Sequence, residues 1–293
     1  MQVFVTGATG LIGSAVVAEL VSHDHTVLGL ARSDASAQKL EAAGAEAIRG
    51  GLADLDAVRA GAAQADGVIH LAFANDFSSP EALANAIAEE SAAIMAIGEA
   101  LVDSNRPFVV CSGTPAAAGR PSTESDPLAI DGPVAGRART VNATLELASR
   151  GVRVSAVRLP RTVHNQGNGG FAGLLSNIAR QSGVSGYAGD GDQRWPAVHA
   201  LDAAALFRLA LENAPAGTSW HAVDDEGDAV RDIAAVIGRR LGLPVESVAP
   251  ENYGALGAIF AADQPASSAH TRETLGWQPT HPHLLEDLEN IEP

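Results

Sequence analysis

Near the start of the chain a short apolar run, Val3 to Val5, leads into three glycines spaced three apart, Gly7, Gly10 and Gly13. An alanine- and valine-rich stretch from Leu11 to about Val21 follows. Strand, tight turn and helix in this order constrain the fold more than any other feature of the chain. Gly7 can take backbone angles that a side chain forbids, Gly10 lets the main chain approach a ligand closely, and Gly13 lets the helix sit tight on the sheet. Thr9, Leu11 and Ile12 complete the turn. Free amides at the start of that helix, with the dipole behind them, favour a negative charge. The pattern predicts a pyrophosphate cradle, and so a bound dinucleotide.

Further along, β-rich runs at 3–5, 26–30, 45–49, 67–71, 108–112 and 153–158 alternate with helical stretches near 11–22, 34–43, 54–62, 80–104 and 134–150. Alternation of this kind predicts right-handed βαβ units around a parallel sheet. Gly44 and Gly151 stand where helices should stop. Beyond Pro160 come a glycine-rich stretch, Asn165 to Gly173, a helix to about Ser182, the turn-rich segment 183–191 and the run Arg194–His199. A helix follows from Asp202, its expected N-cap, to Asn213. The remainder reads as a strand at 219–223, a helix at 228–241 and three short helices. The expected class is α/β: a Rossmann doubly wound parallel sheet over residues 1–160, to which 197–214 returns. A smaller C-terminal α/β substrate lobe, mainly 161–293, would cover the carboxyl ends of the strands, where such sheets bind ligands.

A net charge of −16 argues against nucleic acid or an anionic membrane as partner, because either would need a basic face. No apolar run reaches the ~20 residues of a membrane span, and the N-terminus enters a strand with no basic region or cleavage site. A cytoplasmic protein with a small-molecule partner is expected. The single cysteine, Cys111, lies in the apolar run 108–111 and reads as a buried thiol.

The second strand decides which dinucleotide is expected. An acidic residue about 20 positions past the glycines usually binds the ribose 2′-hydroxyl of NAD. Here the strand ends Leu30-Ala31-Arg32-Ser33. Arg32 offers a planar fork for a phosphate and Ser33 a hydroxyl, so NADP(H) is favoured over NAD(H). Asp34, one residue later, keeps NAD(H) open. Leu52 suits a wall for the adenine, Leu71, Ala72 and Phe73 suit the ribose and nicotinamide region, and Leu159, Pro160 and Val163 border the nicotinamide end.

At this point the chain resembles the extended and atypical branch of the short-chain dehydrogenase/reductase superfamily, the group labelled NAD-dependent epimerase/dehydratase. The resemblance rests on Thr6-Gly7-Ala8-Thr9-Gly10-Leu11-Ile12-Gly13, Val68-Ile69-His70-Leu71-Ala72, Val109-Val110-Cys111-Ser112-Gly113-Thr114, Val157-Arg158-Leu159-Pro160, and Trp195-Pro196-Ala197-Val198-His199 with Asp202. It implies a nicotinamide cofactor, a C-terminal substrate lobe and a homodimer built on helices 80–104 and 134–150. It also implies a hydroxyl at the end of the fifth strand and a Tyr-x-x-x-Lys on the next long helix, where the tyrosine exchanges the substrate proton.

This chain departs from that pattern. Lys39, its one lysine, lies in a different helix, and its two tyrosines, Tyr187 and Tyr253, fall late in the sequence. The expected tyrosine position falls near Pro133 or Val134 and the lysine position near Arg137 or Ala138. Arg137 can bind ribose or phosphate but does not titrate near neutrality. Ser112 and Thr114 bracket the usual hydroxyl position, Gly113, and are candidates to orient a substrate oxygen. His164 and Tyr187 are the candidates for proton donor. His199 reads as structural. No metal is expected: the pairs His23/His25 and His281/His283 lack a cysteine or carboxylate set nearby in sequence. The resulting expectation is an NADP(H)-dependent oxidoreductase acting on a small or medium organic carbonyl or alcohol with a non-standard proton donor. The alternatives are a non-catalytic NADP(H) sensor, or an isomerase or lyase of the same fold.

Overall fold

In a computed structural model, which describes residues 1–74, 79–132 and 134–292, six strands and the helices between them appear in the predicted order. They are β1 (Gln2–Thr6), α1 (Leu11–Ser22), β2 (Thr26–Ala31), α2 (Asp34–Ala42), β3 (Glu46–Arg49), α3 (Leu55–Gln64), β4 (Gly67–His70), α4 (Pro80–Leu101), β5 (Pro107–Gly113), α5 (Ala135–Leu145) and β6 (Arg153–Leu159). A 3-10 turn at 146–150 extends α5 to Gly151, whose φ of 72° ends it. Strands β1, β4 and β5 are apolar and buried on both faces, as parallel strands between helix layers must be. Side-chain caps start three of these helices: Ser33 accepts from Ser36 N, Asp54 from Ala57 N and Ser79 from Ala82 N, each worth about 1 kcal/mol. Helix α1 has none, so its first amides stay open.

The later elements are β7 (Thr162–His164), α6 (Gly170–Ser182), β8 (Ser185–Ala188), β9 (Arg194–His199), α7 (Ala200–Asn213), β10 (Thr218–His221), β11 (Asp225–Ala229), α8 (Val230–Leu241), β12 (Val245–Val248), α9 (Gly257–Phe260), α10 (Ala269–Leu275) and α11 (Leu284–Asp287). The central sheet is wholly parallel with order β10-β6-β5-β4-β1-β2-β3, so the direction of winding reverses between β1 and β4. A crevice opens above the strand ends at such a reversal.

Val16 and Leu20 of α1 and Phe207 and Leu211 of α7 belong to one core cluster. Phe4, Val58, Ile94, Ile97 and Phe108 belong to another, which gathers α3 and α4 on β1 and β5. Full burial of each large side chain contributes roughly 1.5–3 kcal/mol. A third core, around Trp195, Ile233, Phe260 and Leu284, holds α6, α8 and the sheet β11-β9-β7. No helix of the described residues is long and apolar enough to cross a membrane.

Three boundaries differ from expectation. Helix α7 starts at Ala200 with His199 as its cap, accepting from Leu201 N at 3.3 Å. Asp202 sits inside the first turn and accepts instead from Thr280 N, His281 N and His281 Nδ1. Three donors from a distant segment outweigh one amide of its own helix. Helix α6 begins within the glycine-rich stretch because Gly169 (φ 107°) and Gly170 (φ 56°) complete the turn early. The turn-rich segment 183–191 contains β8, which becomes a strand by pairing with β12.

Candidate functional site

The glycine turn joins β1 to α1 at the winding reversal. Gly7 has φ of 71°, and a Cβ there would lie 2.8 Å from Ala72 N. A Cβ on Gly13 would lie 2.0 Å from Gly7 O, closer than any side chain can approach. At Gly10 the nearest protein atom to a Cβ is Gly7 O, at 3.4 Å, which leaves that face open for a ligand. Beneath the turn, Thr6 Oγ1 accepts from Leu71 N and Ala72 N and donates to His70 Nδ1 at 2.9 Å. Burial lowers the His70 pKa to about 3, which keeps the ring a neutral acceptor at Nδ1 and locks the turn after β4 to the turn after β1.

Above these turns lies a cleft of about 770 Å³. Its floor is Gly7 and the run Thr9 to Gly13. Arg32 and Leu52 close one end, and Leu71, Ala72 and Phe73 form one wall. Leu159, Pro160 and Val163 form another. The cofactor candidates thus lie together, with two exceptions. Ser33 turns inward to cap α2 and to share a hydrogen bond with Ser36 Oγ. Arg137 donates from Nε and Nη2 to the two Glu90 oxygens, each at 2.7 Å, and its guanidinium lies 4.0 Å over the Phe73 ring. Its fork is committed to a carboxylate, so it reaches the cleft only through Phe73.

Ser36 and Lys39, one helical turn apart on α2, also line the cleft beside Arg32. Asp34 is ion-paired with Arg49 and is not among the lining residues. Sequence reasoning missed Ser36 and Lys39, although their spacing from Arg32 and Ser33 was a usable signal. It also missed Glu89 of α4 and Arg161, which follows Pro160 directly.

The remaining candidates are scattered. Ser112 and Thr114 bracket the end of β5, and Thr114 N donates to Leu159 O, but neither lines the cleft. Val134 caps α5 and Ala138 is buried in it, while Pro133 lies outside the described residues. Cys111 is half-buried against the first core, and desolvation pushes its thiol up to about 12. Burial raises the Glu90 carboxyl, and the two Arg137 hydrogen bonds pull it part of the way back. The structure places His164 away from the cleft wall, buried at 1% exposure with Nδ1 on Asp287 Oδ2 at 2.9 Å. Tyr187 lies in β8 against the third core, which holds it off the cleft as well.

The His-x-His pairs separate. His23 bonds Glu19 O and His25 bonds Glu212, while His281 meets Asp202 and stacks on His199 at 4.8 Å. His283 meets Asp224 and Asp225. Folding therefore supplies the carboxylates that are missing nearby in sequence, which corrects that premise. At His281, the Asp202 oxygens are already taken by three N–H donors.

Residues 3–223 match the family model described as "NAD dependent epimerase/dehydratase family". The chain belongs to that family. It is 44% identical over 292 residues to uncharacterized protein C2A9.02 of Schizosaccharomyces pombe, with 98% of each chain covered. It is 42% identical over 297 residues to uncharacterized protein YLL056C of Saccharomyces cerevisiae, again with 98% of each covered. Among solved structures it resembles the dTDP-glucose 4,6-dehydratase DesIV of Streptomyces venezuelae, described with NAD and TYD bound (TM-score 0.79, 19% identity, 99% of this chain and 96% of that one). It resembles equally the UDP-glucose 4-epimerase of Thermotoga maritima (TM-score 0.79, 19% identity, 99% and 97%). At that identity the likeness is one of fold.

Within this epimerase/dehydratase fold the residues present fit a dinucleotide. The open face at Gly10 and the uncapped amides of α1 suit a pyrophosphate. Arg32, Ser36 and Lys39 offer donors at the ribose end, and the apolar walls suit flat rings.

Proposed function

We propose that this family member is an NADP(H)-dependent oxidoreductase acting on a small or medium organic carbonyl or the corresponding alcohol, with Glu89 as the proton-transfer group. The observation that supports it is the lining of one cleft: an open glycine turn, two cations with a serine at the ribose end, and Glu89 as the one carboxylate among the described residues that line it. Arg32 and Lys39 would bind the 2′-phosphate, with Ser36 donating a third hydrogen bond. The dinucleotide supplies a hydride to the carbonyl carbon. Glu89 relays a solvent proton to the carbonyl oxygen as charge develops there. Phe73, held from behind by Arg137, keeps the wall beside the reacting atoms fixed and dry.

Calorimetric titration with NADPH and NADH, followed by a carbonyl panel monitored by loss of NADPH absorbance, tests the reading. NADPH should bind more tightly than NADH. Arg32→Ala and Lys39→Ala should each cost about 10–100-fold in NADPH affinity, the range of a charged hydrogen bond, and leave NADH affinity unchanged. Tighter NADH binding overturns the cofactor preference. Tight NADPH binding with no turnover across the panel favours the sensor reading, and product formed without net loss of NADPH favours an isomerase or lyase.

A further inference from the structure

Arg161 differs from the other buried and half-buried arginines in making no side-chain hydrogen bond among the described residues. Arg106 donates to the carbonyls of Ala62, Ala65 and Ala100, and Arg153 to those of Leu211 and Ala214. Arg158 donates to the carbonyls of Glu124 and Asp126, and Arg137 to Glu90. Among the described residues the Nε of Arg161 is buried without a partner, and its guanidinium lies 5.4 Å from the Phe171 ring. Burial lowers its pKa to about 10, and among the described residues no neighbouring carboxylate offsets that. The group is still cationic at neutral pH, and its side chain lines the cleft beyond Pro160. A buried Nε with no acceptor is costly, and a guanidinium whose other donors open onto the cleft is stabilised by an oxyanion there.

The proposed cofactor already has a place for each of its phosphates. The pyrophosphate meets the open amides of α1, and the ribose phosphate meets Arg32, Ser36 and Lys39. Arg161 belongs to neither set. We infer that Arg161 is a specificity residue that selects a substrate carrying a carboxylate or phosphate group, held by its guanidinium at the β6 end of the cleft. The inference rests on the cofactor reading above and narrows its substrate class to anionic carbonyl compounds and alcohols.

The test uses the full chain saturated with NADP+ and calorimetric titration with matched probes: acetoacetate against methyl acetoacetate, and dihydroxyacetone phosphate against dihydroxyacetone. At least one anion should bind about tenfold or more tightly than its neutral partner. Arg161→Met should abolish that preference and Arg161→Lys should retain part of it, while both bind NADP+ within about threefold of the parent chain. Melting curves verify that the variants fold. Equal binding of anion and neutral partner, or binding of no anion, overturns the inference while leaving the cofactor reading standing. A loss of NADP+ affinity of about tenfold or more in Arg161→Met assigns the guanidinium to the cofactor pyrophosphate and also overturns it. Failure of the parent chain to bind NADP+ overturns the cofactor reading and the inference together.

Discussion

The two ends of the cleft treat their polar groups in opposite ways. At the ribose end Arg32 and Lys39 face the cavity with no ion pair among the described residues, and the acidic side chain nearest Arg32 in sequence, Asp34, is held by Arg49. Toward α5, where the resemblance places a tyrosine and a lysine, Arg137 and Glu90 satisfy each other and Phe73 is stacked between them and the cavity. One end keeps donors free for a ligand and the other has turned them into structure. A site is marked by unsatisfied polar groups, and a scaffold by satisfied ones. By that criterion Glu89 and Arg161 are the groups beyond the ribose end that remain available for chemistry.

The largest expected effect breaks the comparison at Glu89. Glu89→Gln keeps the shape and removes the exchangeable proton, so kcat should fall about 10²–10⁴-fold, the usual range for a general acid. NADPH affinity should be unchanged. An unaltered kcat would return proton transfer to water.

Next comes Arg137→Met, which leaves Glu90 buried and unpaired and should cost about 3–5 kcal/mol of stability at neutral pH. Burial holds the Glu90 carboxyl above its ordinary pKa, so the folded state takes up a proton more readily than the unfolded chain. Stability from that group is present at low pH and is lost as pH rises through the folded value. Removing Arg137 raises this value further, so thermal melts should show the deficit shrinking on acidification. Adding Glu90→Gln should recover part of the loss at neutral pH. A single variant as stable as the parent would make the α5 end no more structural than the ribose end.

The smallest effect concerns the support beneath the glycine turn. His70 is neutral and buried with a pKa of about 3, so the unfolded chain binds its proton first. The stability it confers is present above pH 6.5 and declines as pH falls toward that folded value, by roughly 2 kcal/mol at pH 5. Melting temperature should drop between pH 7 and pH 5, and His70→Gln should flatten the drop. If the slope persists unchanged in that variant, other groups carry it, beginning with His221, which burial lowers to about 4.

The legible part of the protein is local. Gly7 and Gly13 could be assigned their roles from spacing because each requirement is met within a few residues: a positive φ at one and a helix packed on its own preceding turn at the other. The inner strands were readable because burial on both faces demands apolar runs, whereas the edge strand β3 was placed by the alternation itself. Asp202 was misread as a cap because nothing in its own neighbourhood announces Thr280 and His281. Arg137 looked available for a phosphate because its partner, Glu90, lies on another helix.

Sequence alone determined the βαβ order, the glycine cradle and the departure from Tyr-x-x-x-Lys, all properties of neighbouring residues. Tertiary structure alone decided which charged side chains are free. Lys39, Glu89 and Arg161 reach one cleft from α2, α4 and the end of β6, while Arg137, His164 and Tyr187 are drawn off it by partners or packing. The physical reason is that a polar group's availability depends on whether some other segment satisfies it, and only folding brings that segment near.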